Sequence, residues 1–297
     1  MYASTYVFEV VATTLAAVED TNPDISKRFN TGVDPNKPIT HPQSGNAIPA
    51  RYQPVTRKLR TTIRHLRTQA GSWSPFRGLG IFCIYSFTRS LLGWLIGGSS
   101  GSSQVEILAQ PLTGILLAPL EVSLVHIITS EPSSKRFYQR IPGYRTWIKI
   151  APAVALREIV HLADALFENS HEPASWLNLD DPLNTTMETW CSLAILVPIL
   201  QAVGFVLVYN LANAMFIRVA ASMLPEDDKP IVPFDRSFGG KANSNGCLTL
   251  GDAWATFDWP ARIRFAKIVI KSKAVSVVLG MVAMLVCSSS DVCMAWL

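Results

Sequence analysis

One apolar segment of the chain carries ionisable residues at helical spacing. At 100° per residue, Arg157, Glu158, His161 and Asp164 fall within an arc of roughly 120° on one helix. Charged side chains inside a membrane helix are expensive, so such a stripe usually faces other helices or a polar cavity. The stripe therefore predicts either ion pairs that hold the helices together or the wall of a solute cavity.

Three other apolar segments carry ionisable side chains that would share such an interior. Glu121 lies on a narrow polar stripe, and Arg89 is the single charge of its segment. Lys267 and Lys271 share an arc of roughly 60° with Arg264. Together with Arg157, these cations predict a cavity for a small anion such as a carboxylate or phosphate. The candidate cavity residues are Arg89, Glu121, Arg157, Glu158, His161, Asp164, Lys267 and Lys271.

The sequence offers little for an enzyme. Glu158 and His161 form an E-x-x-H pair, the spacing of di-iron bundles, and Glu168 and His171 form another. Di-iron bundles draw these pairs from separate helices, whereas here both lie on one segment. The five cysteines are scattered, and no common nucleophile, phosphate-binding or zinc motif occurs. We therefore expect no enzyme, no metal, no cofactor and no nucleic-acid partner.

The composition indicates that these residues lie in a membrane protein. Only 16% of the 297 residues are charged and 49% are hydrophobic, whereas soluble domains average about 25% charged residues. The mean hydropathy is +0.25. The chain has too few charges to cover the surface of a soluble domain.

Six apolar segments predict an all-α integral membrane protein. A membrane-spanning helix needs about 20 largely apolar residues. The first candidate is short, and the fourth is amphipathic. The segments are approximately 2–18, 78–97, 105–129, 147–167, 189–224 and 263–287.

The charges between these segments predict the topology. Ten Lys or Arg lie between residues 20 and 77, four between 135 and 145, and four between 229 and 262. The two remaining connections carry none. The positive-inside rule then places the three basic loops on one side of the membrane and both termini on the other. We expect a single domain, 1–297, of three helix hairpins, with approximate repeats 1–98, 99–170 and 171–297.

The first basic loop has two parts. Residues 20–54 are rich in Pro, Asn and Thr and predict an irregular polar insertion. Residues 55–68 predict a basic amphipathic surface helix, suited either to an anionic lipid surface or to packing on the protein's own bundle. Its basic residues are Arg57, Lys58, Arg60, Arg64 and Arg67.

The chain resembles a divergent member of the mitochondrial carrier family. Odd helices of that family carry P-x-[DE]-x-x-[KR]; here Pro119 and Glu121 are a remnant of that signature, and Leu124 replaces its basic residue. Phe76–Arg77–Gly78 matches the aromatic–basic–Gly element that precedes an even helix. The resemblance implies six transmembrane helices in a pseudo-threefold arrangement of three tandem hairpins.

The resemblance leaves several functions open. It implies movement of a small anionic metabolite across the inner or outer mitochondrial membrane. Because the acidic–basic pairs that close a carrier are eroded, the alternative is a non-transporting adaptor of the outer membrane, acting in fusion, lipid handling or protein insertion. The sequon at Asn184 keeps a second alternative open, a multi-span protein of the secretory pathway. The sequence identifies no protein partner.

Overall fold

A computed structural model describes residues 5–20, 54–98, 103–133, 137–141, 143–170, 187–225, 227–242 and 246–289. In these ranges the chain is all-helical apart from turns, and one isolated bridge joins Ser130 to Pro230. The predicted fold class is confirmed in its all-α character. The polar insertion at 20–54 and the Asn184 sequon lie almost wholly outside the described residues.

Eight helices make up the described chain. We number them α1 to α8 in chain order. Helix α1 begins with π-helical turns at Tyr6–Val11, and α3 is extended by a π-helical segment at Trp94–Gly98. The bounds are α1 Tyr6–Val18, α2 Leu59–Ala70, α3 Leu79–Gly93, α4 Ser103–Thr129, α5 Tyr144–Ser170, α6 Met187–Ser222, α7 Leu250–Ala255 and α8 Trp259–Ser289.

Four segments are long and apolar enough to cross a membrane: Ser74–Gly98, Ile107–Thr129, Val203–Ser222 and Trp259–Leu285. They support a multi-pass membrane protein, and they belong to α3, α4, α6 and α8. The first and fourth predicted spans form helices α1 and α5. Helix α1 is too short to be counted as a membrane-spanning helix. Helix α5 is long enough, but it carries too many charged residues to be counted.

Helix α1 is enclosed by the rest of the protein. Every side chain from Val11 to Val18 is buried. The helix packs against α4, α6 and α8. Helix α1 therefore lies inside the protein from Val11 onward, with its neighbours covering it on every side. Helices α4 and α6, by contrast, each leave one apolar face exposed, for example at Leu112 and Val208.

The three basic loops meet at one end of the bundle. The segment after α6 joins the end of α4, where the Ile231 amide donates to the Thr129 carbonyl at 2.8 Å. It also joins the end of α1, where the Asp20 amide donates to the Pro233 carbonyl at 3.0 Å. We call α2, residues 227–242, α7 and the turn Phe137–Arg140 the cap. It closes the end of the bundle where α1, α4 and α6 finish.

Helix α2 packs on the bundle through one face. Thr62 and Leu66 are buried, and a ring nitrogen of His65 lies 2.9 Å from the Ile231 carbonyl. All five predicted basic residues are exposed on the other side: Arg57, Lys58, Arg60, Arg64 and Arg67. The helix therefore contacts its own bundle and still presents a basic face to its surroundings.

Candidate functional site

Four ionised side chains from three helices form a buried network. Glu158 of α5 accepts from Arg89 of α3 at 2.7 Å and from Arg157 at 2.7 Å. Arg157 also grips Glu121 of α4 with both of its terminal nitrogens, at 3.0 Å and 2.6 Å. Arg157 and Glu158 are only 3% and 2% exposed, so removing one partner would leave an uncompensated charge in the interior.

A glycine on α4 makes room for this network. A β-carbon built on Gly114 would lie 2.5 Å from the Cδ atom of Glu158 and 2.6 Å and 2.8 Å from its oxygens. No side chain fits at such distances. The carboxylate of α5 therefore rests directly against the α4 backbone, where the two arginines hold it.

The network borders a cavity of about 350 Å³. Ligand pockets typically measure about 300–1,000 Å³, so the cavity is large enough for a small solute. Five helices contribute to its wall: α1, α3, α4, α5 and α6. The polar residues of the wall are Glu9, Thr13, Thr14, Tyr85, Arg89, Gln110, Glu121, Arg157, His161, Tyr209 and Asn213.

The cavity lies between five helices, and apolar side chains of α4 and α6 form part of its wall toward the cap. Glu121 is eight residues before the end of α4, about 12 Å along the helix and close to the middle of a hydrocarbon core about 30 Å thick. The wall nearest the cap includes buried apolar side chains, Leu124, Val125 and Ile128 of α4 and Ile217 of α6. Thr13 and Thr14 of α1 also line the wall there, so the side toward the cap is mixed in polarity, and Glu121 lies about 12 Å from the cap end of α4.

Most of the sequence-predicted site residues come together here. Arg89, Glu121, Arg157 and His161 line the cavity, and Glu158 joins two of them in the network. His161 also lies edge-on to Tyr209, with ring centroids 6.1 Å apart. Asp164 is half-buried one turn further along α5, outside the cavity wall.

Lys267 and Lys271 were placed in the cavity by sequence reasoning, and the structure places them elsewhere. Both are exposed on α8, and neither lines the cavity. The buried face of α8 runs through Phe265, Ile268, Val269 and Ser272, so the two lysines project from a different side of that helix. The shared arc shows that the two lysines lie on the same side of α8, but it does not show which side of α8 faces the cavity.

Several cavity residues escaped sequence reasoning. Glu9 of α1 lines the cavity and pairs with Lys273 of α8 at 2.5 Å. A carboxylate in an apolar run is itself a signal for an intramembrane site. Tyr85, Tyr209 and Asn213 carried no such signal, because polar uncharged residues are common in apolar helices.

The signature remnant has a local structural role. Pro119 lacks the N–H that the Ile115 carbonyl would accept within the helix, and the Trp147 indole of α5 donates to that carbonyl at 3.0 Å instead. Glu121, two residues later, pairs with Arg157 of the neighbouring helix. Leu124, at the position where carriers have a basic residue, is buried against Gly78. The acidic member of the signature thus pairs across the α4–α5 contact.

Gly78 and Arg77 of the aromatic–basic–Gly element join three helices. Gly78 begins α3 with φ +82°, and a β-carbon there would lie 2.8 Å from both Leu124 and the Tyr6 hydroxyl. The Arg77 guanidinium donates to the Ser130 carbonyl just after α4, at 2.9 Å. The element therefore positions the start of α3 against α1 and α4.

Comparisons with protein-family models, curated proteins and solved structures found no match to this chain. The resemblance to mitochondrial carriers accordingly rests on the residues quoted above. Within the described part of the chain, no group of three or more His, Cys, Asp or Glu side chains is arranged to hold a metal ion.

Proposed function

We propose that this chain is a carrier-like protein of a mitochondrial membrane that moves a small polar solute through the cavity between its helices. The observation that carries the proposal is the polar cavity at mid-depth, with charged side chains from α3, α4 and α5 in its wall and border. Solute sites of membrane transporters lie near the bilayer midplane, where ionisable residues mark the transport path.

The proposal includes a membrane crossing by α5. Its 27 residues measure about 40 Å at 1.5 Å per residue, enough to cross the core. Arg157 and Glu158 face the bundle, whereas Ile148, Ile159 and Leu166 are at least half exposed. The outward side of α5 beyond its exposed basic end at Arg145 and Lys149 is therefore more apolar than the composition of the helix suggests, because Arg157 and Glu158 lie inside the bundle.

Helix α1 completes the proposed set of six helices without meeting lipid. Its 13 residues measure about 20 Å, shorter than the hydrocarbon core, and protein surrounds it. The predicted three hairpins with pseudo-threefold symmetry stay a prediction. The enclosure of α1 has no counterpart in α4 or α6, which leave apolar faces exposed.

Filling the cavity tests the proposal. Val10 of α1 lines the cavity, whereas Val208 of α6 is 52% exposed on the outside of the bundle. Val10→Trp places an indole in the solute path, and Val208→Trp makes the same chemical change facing lipid. Both variants and the wild type would be purified, checked for monodispersity and thermal unfolding, and reconstituted in liposomes loaded with radiolabelled small polar solutes.

We expect saturable exchange of at least one solute by the wild type and by Val208→Trp. The exchange rate of Val10→Trp should be at least about tenfold lower than that of the wild type. Equal exchange by Val10→Trp and the wild type would refute transport through this cavity. Absence of any saturable exchange or binding by the folded wild type would refute the transport function itself.

A non-transporting adaptor of the outer mitochondrial membrane is the second candidate. One observation favours it: Glu121 is paired with Arg157 of α5, and Leu124 offers no charge with which to close a carrier gate. In this case the ion network would be a fixed structural contact. The exchange experiment separates the two candidates, since an adaptor folds normally and moves no solute.

A further inference from the structure

The cavity is electrically balanced. Three carboxylates and three cations form its charged wall and its direct ion-pair partners among the described residues: Glu9 with Lys273, Glu121 with Arg157, and Glu158 with both Arg89 and Arg157. The formal charges cancel. The expectation of an anion site depended partly on Lys267 and Lys271, which lie outside the cavity.

A site whose buried charges are balanced discriminates against solutes with a net charge. An anion that bound Arg157 would displace Glu121 or Glu158 and leave that carboxylate unpaired in the interior, which is strongly unfavourable. A cation that bound Glu121 would likewise deprive Arg157 of that carboxylate partner in the interior. A solute that carries both charges replaces one internal ion pair with two new ones and leaves no charge uncompensated.

We infer that the solute of the proposed transport function is a small zwitterion with a carboxylate and an ammonium group, the chemistry of a free α-amino acid. The guanidinium of Arg157 suits a carboxylate because its planar fork donates two parallel hydrogen bonds. Glu121, which Arg157 now holds at 2.6 Å, is released to accept the ammonium group. Asn213, 3.4 Å from Arg157, adds a neutral polar contact.

The cavity volume limits the size of this solute. At about 350 Å³ it lies at the small end of the range of about 300–1,000 Å³ that ligand pockets span. A small amino acid fits this space with the ion network in place.

Four compounds of similar size and shape, but with different charges, test whether the site prefers a zwitterion. L-alanine is a zwitterion, L-lactate replaces its ammonium with a hydroxyl and is an anion, L-alaninamide is a cation, and lactamide is neutral. Initial uptake into proteoliposomes would be measured at one concentration, with and without a potassium diffusion potential. We expect alanine uptake to exceed that of each other compound by at least about tenfold and to be unaffected by the potential.

Removing one carboxylate tests whether the network sets this preference. Glu121→Gln keeps the side-chain shape and leaves the site with one excess positive charge, so the ratio of lactate to alanine uptake should rise at least about tenfold. Glu131→Gln makes the same change just beyond the end of α4, outside the cavity wall, and should leave the ratio unchanged. If Glu121→Gln fails to fold, solute-dependent shifts in the Tm of the wild type give the same ranking of the four compounds.

Each outcome has a defined meaning. Uptake that favours lactate or alaninamide in the wild type would overturn the zwitterion inference and leave the proposed transport function standing. A ratio equally changed by Glu121→Gln and Glu131→Gln would also overturn it. Failure of the folded protein to take up or bind any of the four compounds would overturn the inference, whereas the proposed function falls only if the wider set of solutes in the exchange experiment also shows no saturable exchange or binding.

Discussion

Replacing Gly114 with alanine tests whether Glu158 is held where the structure places it. The new methyl carbon would lie 2.5 Å from Glu158 Cδ and 2.6 Å and 2.8 Å from its oxygens. The carboxylate cannot move aside without weakening its bonds, because Arg89 and Arg157 each hold it at 2.7 Å. The substitution should therefore disturb the whole network although it changes no charge.

The expected effect follows from three contributions. Forcing a methyl group into a filled site costs about 1–3 kcal/mol, and a buried ion pair that loses a partner costs about 3–5 kcal/mol, of which a displaced carboxylate forfeits only part. Replacing glycine with alanine in a helix returns about 1 kcal/mol. We expect Gly114→Ala to lower the free energy of unfolding by about 2–4 kcal/mol.

A double-mutant cycle isolates the contact with Glu158. In a Glu158→Ala background no carboxylate meets the new methyl group, so Gly114→Ala should become neutral or stabilising by up to about 1 kcal/mol. The coupling between the two positions should then reach at least about 2 kcal/mol. Gly204→Ala on α6 is the matched control, because a β-carbon there has no atom within 4 Å.

Unfolding in mixed micelles titrated with SDS and followed by tryptophan fluorescence gives these free energies. Circular dichroism at each titration point checks that loss of helix accompanies the fluorescence change. If Gly114→Ala has the same effect in the wild-type and Glu158→Ala backgrounds, the close approach of α5 to α4 at this position is refuted. A loss as large in Gly204→Ala would refute it equally.

Three further predictions concern the α4–α5 contact and the basic face of α2. Trp147→Phe should cost about 0.5–1.5 kcal/mol of stability because the partly buried Ile115 carbonyl loses its donor. The cost should vanish with Pro119→Ala, which restores a helical N–H. Trp259→Phe, at an exposed indole, should be neutral. Arg60→Glu with Arg64→Glu should reduce the rise in Tm that anionic lipid gives over zwitterionic lipid, and unchanged lipid dependence would contradict a lipid-facing α2. Arg64→Cys in intact mitochondria should react with a membrane-impermeant maleimide if the cap faces the cytosol and be protected if the cap faces the matrix; absence of the protein from mitochondria would contradict the assignment to that organelle.

The sequence contained enough information to group the network residues, but not to show how they pair. Helical periodicity put Arg157, Glu158 and His161 on one face of α5, and Glu121 on a polar stripe of α4. In the structure these stripes face each other. Periodicity predicts which residues of a single helix lie together, since that depends only on the 100° step. The partner helix depends on packing between helices, which a single-helix pattern does not contain.

The same limit explains why the cavity prediction is wrong for Lys267 and Lys271 of α8 and why the burial of α1 is not evident from its sequence. Lys267 and Lys271 form a narrower stripe than the residues of α5, yet their stripe points away from the cavity, because Phe265, Ile268 and Val269 fill the inward face. The first predicted span is short, and Glu9 interrupts its apolar run. Neither property shows whether the helix is surrounded by protein or by lipid, which depends on how the other helices pack around it.

The enclosure of α1 has a consequence for how the protein is made. Helix α1 precedes in the chain every helix that it packs against, and at about 20 Å it is too short to hold a transmembrane position alone. Its contacts with α4, α6 and α8 can form only once those helices have been synthesised, so the burial of α1 is completed only after α8, the last helix of the described chain, has joined the others.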